Sequence, residues 1–143
     1  MSTQNQKEVY IKFYETLTPY TPKQVYEDIF DTEAYFEDPF QKVNGVGAIY
    51  KVFEHMYENL VEPKFKVLEA IGDGDTVYLR WEFTYKRDQK SQEYQFVGVS
   101  RVLFNSEGKV TSHIDYWDAA SNIYEKIPML GSILRWIKGK INA

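Results

Sequence analysis

The sequence predicts an α+β fold in which three N-terminal helices pack on one face of a strongly curved, mostly antiparallel sheet. Apolar residues recur at helical spacing in the first part of the chain. Further along they alternate with polar residues over long stretches that are separated by turn sequences such as Gly72–Asp75. With 143 residues and 43% hydrophobic content, we expect one domain, 1–143, that includes a C-terminal helical extension at 119–143.

The helices are predicted from apolar residues that fall on one side of a helical projection. The first spans Gln6–Leu17, and Tyr10 and Tyr14 lie one turn apart on its buried side. A short second helix begins after Pro22, which suits a first helical position. The third, 46–60, has the widest apolar stripe and must therefore lie across the sheet.

The strands are predicted from alternation with a period of two. The first, Thr32–Phe40, carries Ala34, Phe36, Asp38 and Phe40 on one face, so Asp38 is a single charge on an apolar face. The remaining predicted strands are 65–71, 76–86, 93–104 and 110–118. After them, the extension divides at Pro128 into two helical pieces, and the second piece is amphipathic and basic.

The last strand carries an unusual row of side chains. His113, Asp115 and Trp117 alternate and therefore share one face. Burying this row is costly unless a cavity lies beneath it, because buried charges and polar groups need partners. A histidine beside a carboxylate is a common proton-transfer device near neutral pH. The other interpretation is a structural one, in which His113 is a satisfied core residue and Asp115 orients a neighbouring side chain.

Asp38 also has two interpretations. It is a candidate general base, because a carboxylate on an apolar face beside a cavity tends to have a raised pKa. It is equally well placed to end the strand at Asp38-Pro39 and to cap the backbone of the following loop.

Aromatic residues make up 17% of the chain, which exceeds what an ordinary core needs and favours a lined cavity or an interface. The residues predicted to line the cavity for a small hydrophobic molecule are Phe53, Tyr57, Trp81, Phe83, Ser100 and Trp117. Most of them are also explained as ordinary core residues. No cofactor is expected.

Composition excludes several classes of function. The chain has no Cys, which rules out disulfides and thiolate chemistry, and its net charge of −4 argues against nucleic-acid binding. No metal site is expected, since the only other histidine, His55, should face solvent. The polar N-terminus and the absence of a long apolar run predict a cytoplasmic protein.

Two surfaces suggest contacts beyond the domain. A homodimer is expected through the outer sheet face, where apolar residues would otherwise be exposed: Tyr78, Val97, Val99 and Leu103. The basic tail either packs on its own domain, joins a dimer interface or lies on an anionic membrane, and packing on the domain is the preferred interpretation.

Three motifs, together with the order of the elements, resemble the nuclear-transport-factor-2-like superfamily and its SnoaL-like branch. They are Y-F-E-D-P-F at Tyr35–Phe40, G-V-G-A-I at Gly45–Ile49 and H-I-D-Y-W-D at His113–Asp118. The resemblance implies a cone-shaped fold with an internal pocket. It does not select a reaction, because this scaffold carries isomerases, cyclases, hydrolases and non-catalytic binding proteins.

The resemblance extends to the ketosteroid isomerases, whose site corresponds to three positions of this chain. The resemblance implies that Asp38 is the general base and Tyr14 the hydrogen-bond donor to the oxyanion. Ser100 stands where those enzymes have a protonated aspartic acid, so their oxyanion hole is incomplete here. Two functions are therefore expected: an acid–base enzyme that uses Asp38 or the His113/Asp115 pair, or a non-catalytic module that binds a ligand or a protein partner.

Overall fold

The computed structural model describes residues 3–122 and the separate positions 136, 139 and 140. Within them the chain forms a mixed six-stranded sheet with helices, which confirms the α+β fold. The elements in order are α1 Thr3–Thr16, α2 Lys23–Ile29, β1 Phe30–Asp38, β2 Gln41–Asn44, α3 Val46–Asn59, β3 Val61–Asp73, β4 Thr76–Lys86, β5 Tyr94–Phe104, β6 Val110–Tyr116 and α4 Ala119–Asn122.

The strand order is β2-β1-β6-β5-β4-β3. All neighbouring strands are antiparallel except β1 and β6, which run parallel. This pairing places Phe36 of β1 beside His113 of β6, and Ser100 of β5 opposite Asp115. The first and last strands of the sheet thus pair with each other in its interior, and the row on β6 lies between β1 and β5.

The helices cover the inner face of the sheet. α1 packs on β3, α2 on β1, and α3 on β1, β2 and β3. The inner face of β4 is apolar throughout and buried, as the alternation predicts; it consists of Val77, Leu79, Trp81, Phe83 and Tyr85. The core therefore lies between this face and the helices.

The arrangement differs from the prediction in detail. Strand β2 was not expected, and β3 begins at Val61 rather than at Phe65. Pro63 lies inside β3, where a β-bulge interrupts the pairing between Val61 and Lys64, and Glu62 has a positive φ of 53°. An edge strand tolerates a proline at such a bulge, because the missing N–H costs no ladder hydrogen bond there.

The predicted C-terminal extension lies mostly outside the described residues. Its beginning forms α4, Ala119–Asn122, and most of the two predicted helical pieces beyond it are not described. In the part of the chain that the structure describes, no helix is long and apolar enough to cross a membrane. The cytoplasmic location stays a prediction.

Candidate functional site

A cavity of about 320 Å³ lies between α3 and the inner face of the sheet. It opens at a rim of exposed residues that includes Phe40, Gln41 and His55. Most of the wall is aromatic or aliphatic: Phe36, Val52, Phe53, Met56, Leu60, Phe65, Trp81, Phe83, Tyr85, Phe96 and Trp117. Two carboxylates, those of Asp38 and Asp115, line this otherwise apolar space.

Asp115 is held by a row of buried hydrogen bonds. Its Oδ1 lies 2.6 Å from His113 Nε2 and accepts a hydrogen bond from Ser100 Oγ at 2.5 Å. Ser100 Oγ in turn accepts from Nε1 of Trp81 at 2.7 Å, and the Tyr10 hydroxyl lies 2.7 Å from His113 Nδ1. The row thus ties together α1, β4, β5 and β6 at one point.

The hydrogen bond to Asp115 places a proton on Nε2 of His113, because a carboxylate can only accept. The Tyr10 hydroxyl, which can both donate and accept, is the partner of Nδ1. His113 and Ser100 are each 1% exposed, and burial of this depth requires every polar atom to have a partner.

The second oxygen of Asp115, Oδ2, forms no hydrogen bond within residues 3–122. The side chain is 15% exposed, through the cavity that it lines. A carboxylate with one oxygen saturated and the other open to an apolar cavity has a fixed orientation, because rotating it would break two buried hydrogen bonds. Oδ2 is therefore the oxygen available to a ligand.

Asp38 is held by its own loop. Its Oδ1 accepts from the backbone N–H groups of Phe40 (2.8 Å) and Gln41 (3.0 Å), and its Oδ2 accepts from Nε2 of Gln41 (3.0 Å). Burial raises the pKa of Asp38 and the charge of Asp115 raises it further, whereas these hydrogen bonds lower it. The net effect is a raised pKa. Asp38 is thus both a turn cap and a carboxyl group that faces the cavity.

The Tyr14 hydroxyl is buried and makes no hydrogen bond of standard geometry with the described residues, although the Tyr10 hydroxyl is near enough to affect its pKa. Its ring stacks on His113 with centroids 5.5 Å apart, and the residue is 7% exposed. Burial raises the pKa of Tyr14 well above its ordinary value, so the phenol keeps its proton. The residue lines the cavity, and its hydroxyl oxygen itself is fully buried.

The structure brings most of the sequence-predicted site residues to one place. Tyr14, Asp38, Phe53, Trp81, Phe83, Asp115 and Trp117 line the cavity. Ser100 and His113 lie behind Asp115, against a void of only about 10 Å³. The catalytic and binding roles of all these residues stay predictions.

Tyr57 is not brought to the cavity. It lines two recesses outside it, one beside Tyr26 and Tyr50 and the other beside Pro63. Each helical residue is rotated by about 100° from the one before it, so Met56 faces the cavity while Tyr57 faces away from it. Partial burial raises the pKa of Tyr57 to about 12.

Sequence reasoning missed several residues of the site. Tyr10 had a detectable signal, since it lies one turn from Tyr14 on the same side of α1, but nothing indicated that it would reach His113. Phe96 shares its face of β5 with Ser100, and Tyr85 shares its face of β4 with Trp81, so alternation pointed to both. Alternation likewise placed Phe40 on the face of Asp38. Two rim residues had no signal in the sequence: Gln41 and His55.

Gly98 allows the Trp81 indole to lie against β5. The two residues are paired in register, and a Cβ at Gly98 would come within 2.5 Å of the Trp81 ring and 3.0 Å of Trp117 Cβ. Real Cβ atoms do not approach other atoms so closely, so any larger residue would displace the indole. Gly98 is thus a condition for the Trp81 to Ser100 hydrogen bond.

No group of three or more metal-ligating side chains lies together in the part of the chain that was searched, the described residues. His55 is exposed on α3 at the rim of the cavity.

Comparison with known proteins identifies relatives of this fold. The SnoaL-like domain family matches residues 10–113, which is most of the chain. No curated protein matches the sequence.

Solved structures show the same fold at low sequence identity. A proposed SnoaL-like polyketide cyclase from Jannaschia sp. CCS1 superposes with a TM-score of 0.72 at 13% identity, covering 82% of this chain and 88% of that one. A protein with a ketosteroid isomerase-like fold from Catenulispora acidiphila DSM 44928, crystallised with trimethylamine, gives 0.71 at 13% identity over 85% and 92% of the two chains. AclR from Streptomyces galilaeus, a proposed hydroxylase, gives 0.66 at 16% identity over 80% and 79%.

Proposed function

The chain belongs to the SnoaL-like domain family, and we propose that it binds one small, largely apolar molecule in the interior of a cone-shaped sheet. The observation that carries this proposal is the apolar cavity of about 320 Å³ with few polar groups in its wall. Small-molecule sites are typically concave, mostly apolar and equipped with a few fixed polar groups. Oδ2 of Asp115 and the hydroxyl of Tyr14 are such groups.

We further propose that the site carries out acid–base chemistry of the isomerase, cyclase or hydrolase type, without a cofactor. In the isomerase case, Asp38 takes a proton from a carbon next to a substrate carbonyl, and the electrons of that C–H bond move to the carbonyl oxygen. Tyr14 donates a hydrogen bond to the oxygen as its charge develops, and Asp38 returns the proton to another carbon. The raised pKa of Asp38 supports this role. Asp115, which His113 holds in place, orients the substrate.

A second candidate is a non-catalytic binding module. One observation favours it: all three hydrogen bonds of Asp38 come from its own loop, so the position of this carboxylate has a purely structural explanation. Under this alternative the cavity binds its ligand unchanged, and Asp38 only terminates β1.

Protein purified from its native host separates these candidates. Mass spectrometry of the intact protein should detect a bound small molecule, and that molecule should then be tested for turnover. Asp38→Asn should lower turnover by about 10²- to 10⁴-fold, as expected for loss of a general base, while affinity changes by no more than about threefold. His113→Gln should instead weaken binding or shift the pH optimum, because His113 holds Asp115. Full activity of Asp38→Asn would refute the isomerase-like mechanism.

We also propose that the chain forms a homodimer through the outer face of the sheet, and that the basic tail packs on its own domain. Tyr78 is 47% exposed and Val97 38% exposed on this face, which supports an apolar contact. Light scattering at tens of micromolar protein should give the dimer mass, and Tyr78→Lys should shift it to the monomer mass. A monomer mass for the unmodified chain would refute the dimer.

A further inference from the structure

Two carboxylates, those of Asp38 and Asp115, line the cavity. Among the described residues that form its wall, none is a Lys or an Arg. The remaining titratable groups that face the cavity are Tyr14, His55 and Tyr85. A cavity with this composition attracts cations more than neutral or anionic molecules.

Within the described residues, no Lys or Arg is bonded to either carboxylate. The donors to Asp38 are two backbone N–H groups and the Gln41 amide, all of them uncharged. Asp115 accepts from Ser100 and lies 2.6 Å from Nε2 of His113, which offsets the charge of Asp115 only when the imidazole is protonated. Partly buried carboxylates without a permanent positive partner are stabilised by a cation that comes with the ligand.

The two carboxylates also act on each other. The charge of Asp115 contributes to the raised pKa of Asp38, after the larger effect of burial. Mutual repulsion of this kind is relieved when a positive charge lies between the two groups. A neutral ligand in the same place would leave the repulsion unchanged.

Aromatic rings surround the same part of the cavity. Phe96 stacks on Trp117 with centroids 4.4 Å apart, and Phe40 meets Trp117 edge-on at 5.4 Å. Faces of Trp and Phe attract alkylammonium groups, and such cages are a recurrent means of binding quaternary ammonium ligands. The wall thus combines the two components, carboxylates and rings, that recognise an organic cation.

We infer that the ligand of this cavity carries a tertiary or quaternary ammonium group, which lies between Asp38 and Asp115 and against the rings of Phe40, Phe96 and Trp117. A ligand oxygen then accepts the hydrogen bond that the buried Tyr14 hydroxyl lacks among the described residues. This inference rests on the proposed function, since it assigns the charge of the ligand in the same cavity.

A pair of isosteric probes tests the charge alone. Choline and 3,3-dimethylbutan-1-ol have the same shape and hydroxyl group, but only choline is charged. Isothermal titration calorimetry of the full chain at neutral pH should show choline binding about tenfold more tightly, which is typical of a carboxylate and a few aromatic faces acting together. Equal affinity, tighter binding of the alcohol or no binding of choline at millimolar concentration would overturn the inference.

Three variants locate the effect. Asp38→Asn and Asp115→Asn keep the shape and the Oδ1 acceptor of each site, and each should lower the choline preference by about threefold because one charge is lost. As a control, Glu58→Gln removes an exposed carboxylate of α3 that does not line this cavity, and it should leave the preference unchanged. An equal loss in all three variants would assign the preference to the net charge of the chain and would contradict the inference.

The outcomes separate this inference from the proposed function. If the alcohol binds as well as choline, the cavity binds apolar molecules without regard to charge, and only the ammonium assignment fails. If neither probe binds and native protein carries no small molecule, the proposed function fails as well.

Discussion

The two carboxylates that face the cavity are held in different ways. Asp115 is fixed by His113 of its own strand and by Ser100, and through them by Tyr10 and Trp81. Ser100, Trp81 and Tyr10 come from three other elements of the fold. Asp38 is fixed only by the loop that follows it. The orientation of Asp115 therefore depends on the assembled tertiary structure, whereas that of Asp38 is set locally. Substitutions around Asp115 should affect stability and site together, and those at Asp38 should affect mainly the site.

The largest effect on stability is expected from Gly98→Ala. The added Cβ would overlap the Trp81 ring, and overpacking of this kind typically costs about 1 to 3 kcal/mol of unfolding free energy. Urea denaturation measures the change. The matched control is Gly47→Ala in α3, where the nearest atom to a new Cβ is Lys23 Nζ at 3.9 Å. The control should be neutral or stabilising, since Ala is favoured over Gly in a helix. An unaltered stability of Gly98→Ala would contradict the close packing of Trp81 on β5.

A smaller loss of unfolding free energy, about 1 kcal/mol, is expected from Ser100→Ala. The substitution leaves the buried N–H of Trp81 unpaired and removes one donor from Asp115. Ser112→Ala, half-buried on the same sheet, is the control, because its hydroxyl makes no hydrogen bond in the described part of the chain.

A double-mutant cycle that combines Ser100→Ala with Trp81→Phe tests whether the linked hydrogen bonds around Asp115 act as a unit. If Trp81 and Ser100 are coupled as their hydrogen bond indicates, the two losses of stability should be less than additive. Strict additivity would mean that the row is a set of independent contacts and would remove the main difference between Asp115 and Asp38.

The smallest effect on stability, with a distinctive pH dependence, is expected from Asp38→Asn. Because the pKa of Asp38 is raised from 3.8, the native state binds more protons than the unfolded state between 3.8 and the raised pKa. The unfolding free energy contributed by this group is therefore fully present below that window and decreases as the pH rises through it. Measured by urea denaturation, the unfolding free energy of Asp38→Asn minus that of the unmodified chain should increase as the pH rises through the window. A difference that decreases with pH would mean that the pKa of Asp38 is lowered rather than raised.

The difference between local and tertiary constraints also explains what the sequence could predict. Alternation assigned His113, Asp115 and Trp117 to one face and predicted the buried face of β4, because a strand's period depends only on local geometry. It could not predict that Ser100 lies opposite Asp115, since this depends on strand register. Nor could it predict that Tyr10 reaches His113, which lies 103 residues further along the chain.

The rim of the cavity was the least predictable part. Phe40 and Gln41 follow Asp38 in a tight turn that leads into β2. Their position therefore depends on the pairing of β2 with β1, and the four residues of β2 were too few and too polar to predict that strand. Tyr57 shows the opposite limit. Tyr57 lies one turn from Phe53 on the apolar stripe of α3, as predicted. That stripe is wider than the cavity, so it also includes residues that face other parts of the molecule.

The most direct test of the account is a crystal structure of the protein with the small molecule that it retains from its native host. We expect density for the ligand inside the cavity, with one polar or charged group at Oδ2 of Asp115 and an oxygen within hydrogen-bond distance of the Tyr14 hydroxyl. A ligand bound outside the residues that line this cavity, with Asp115 and Tyr14 unchanged and uncontacted, would contradict it.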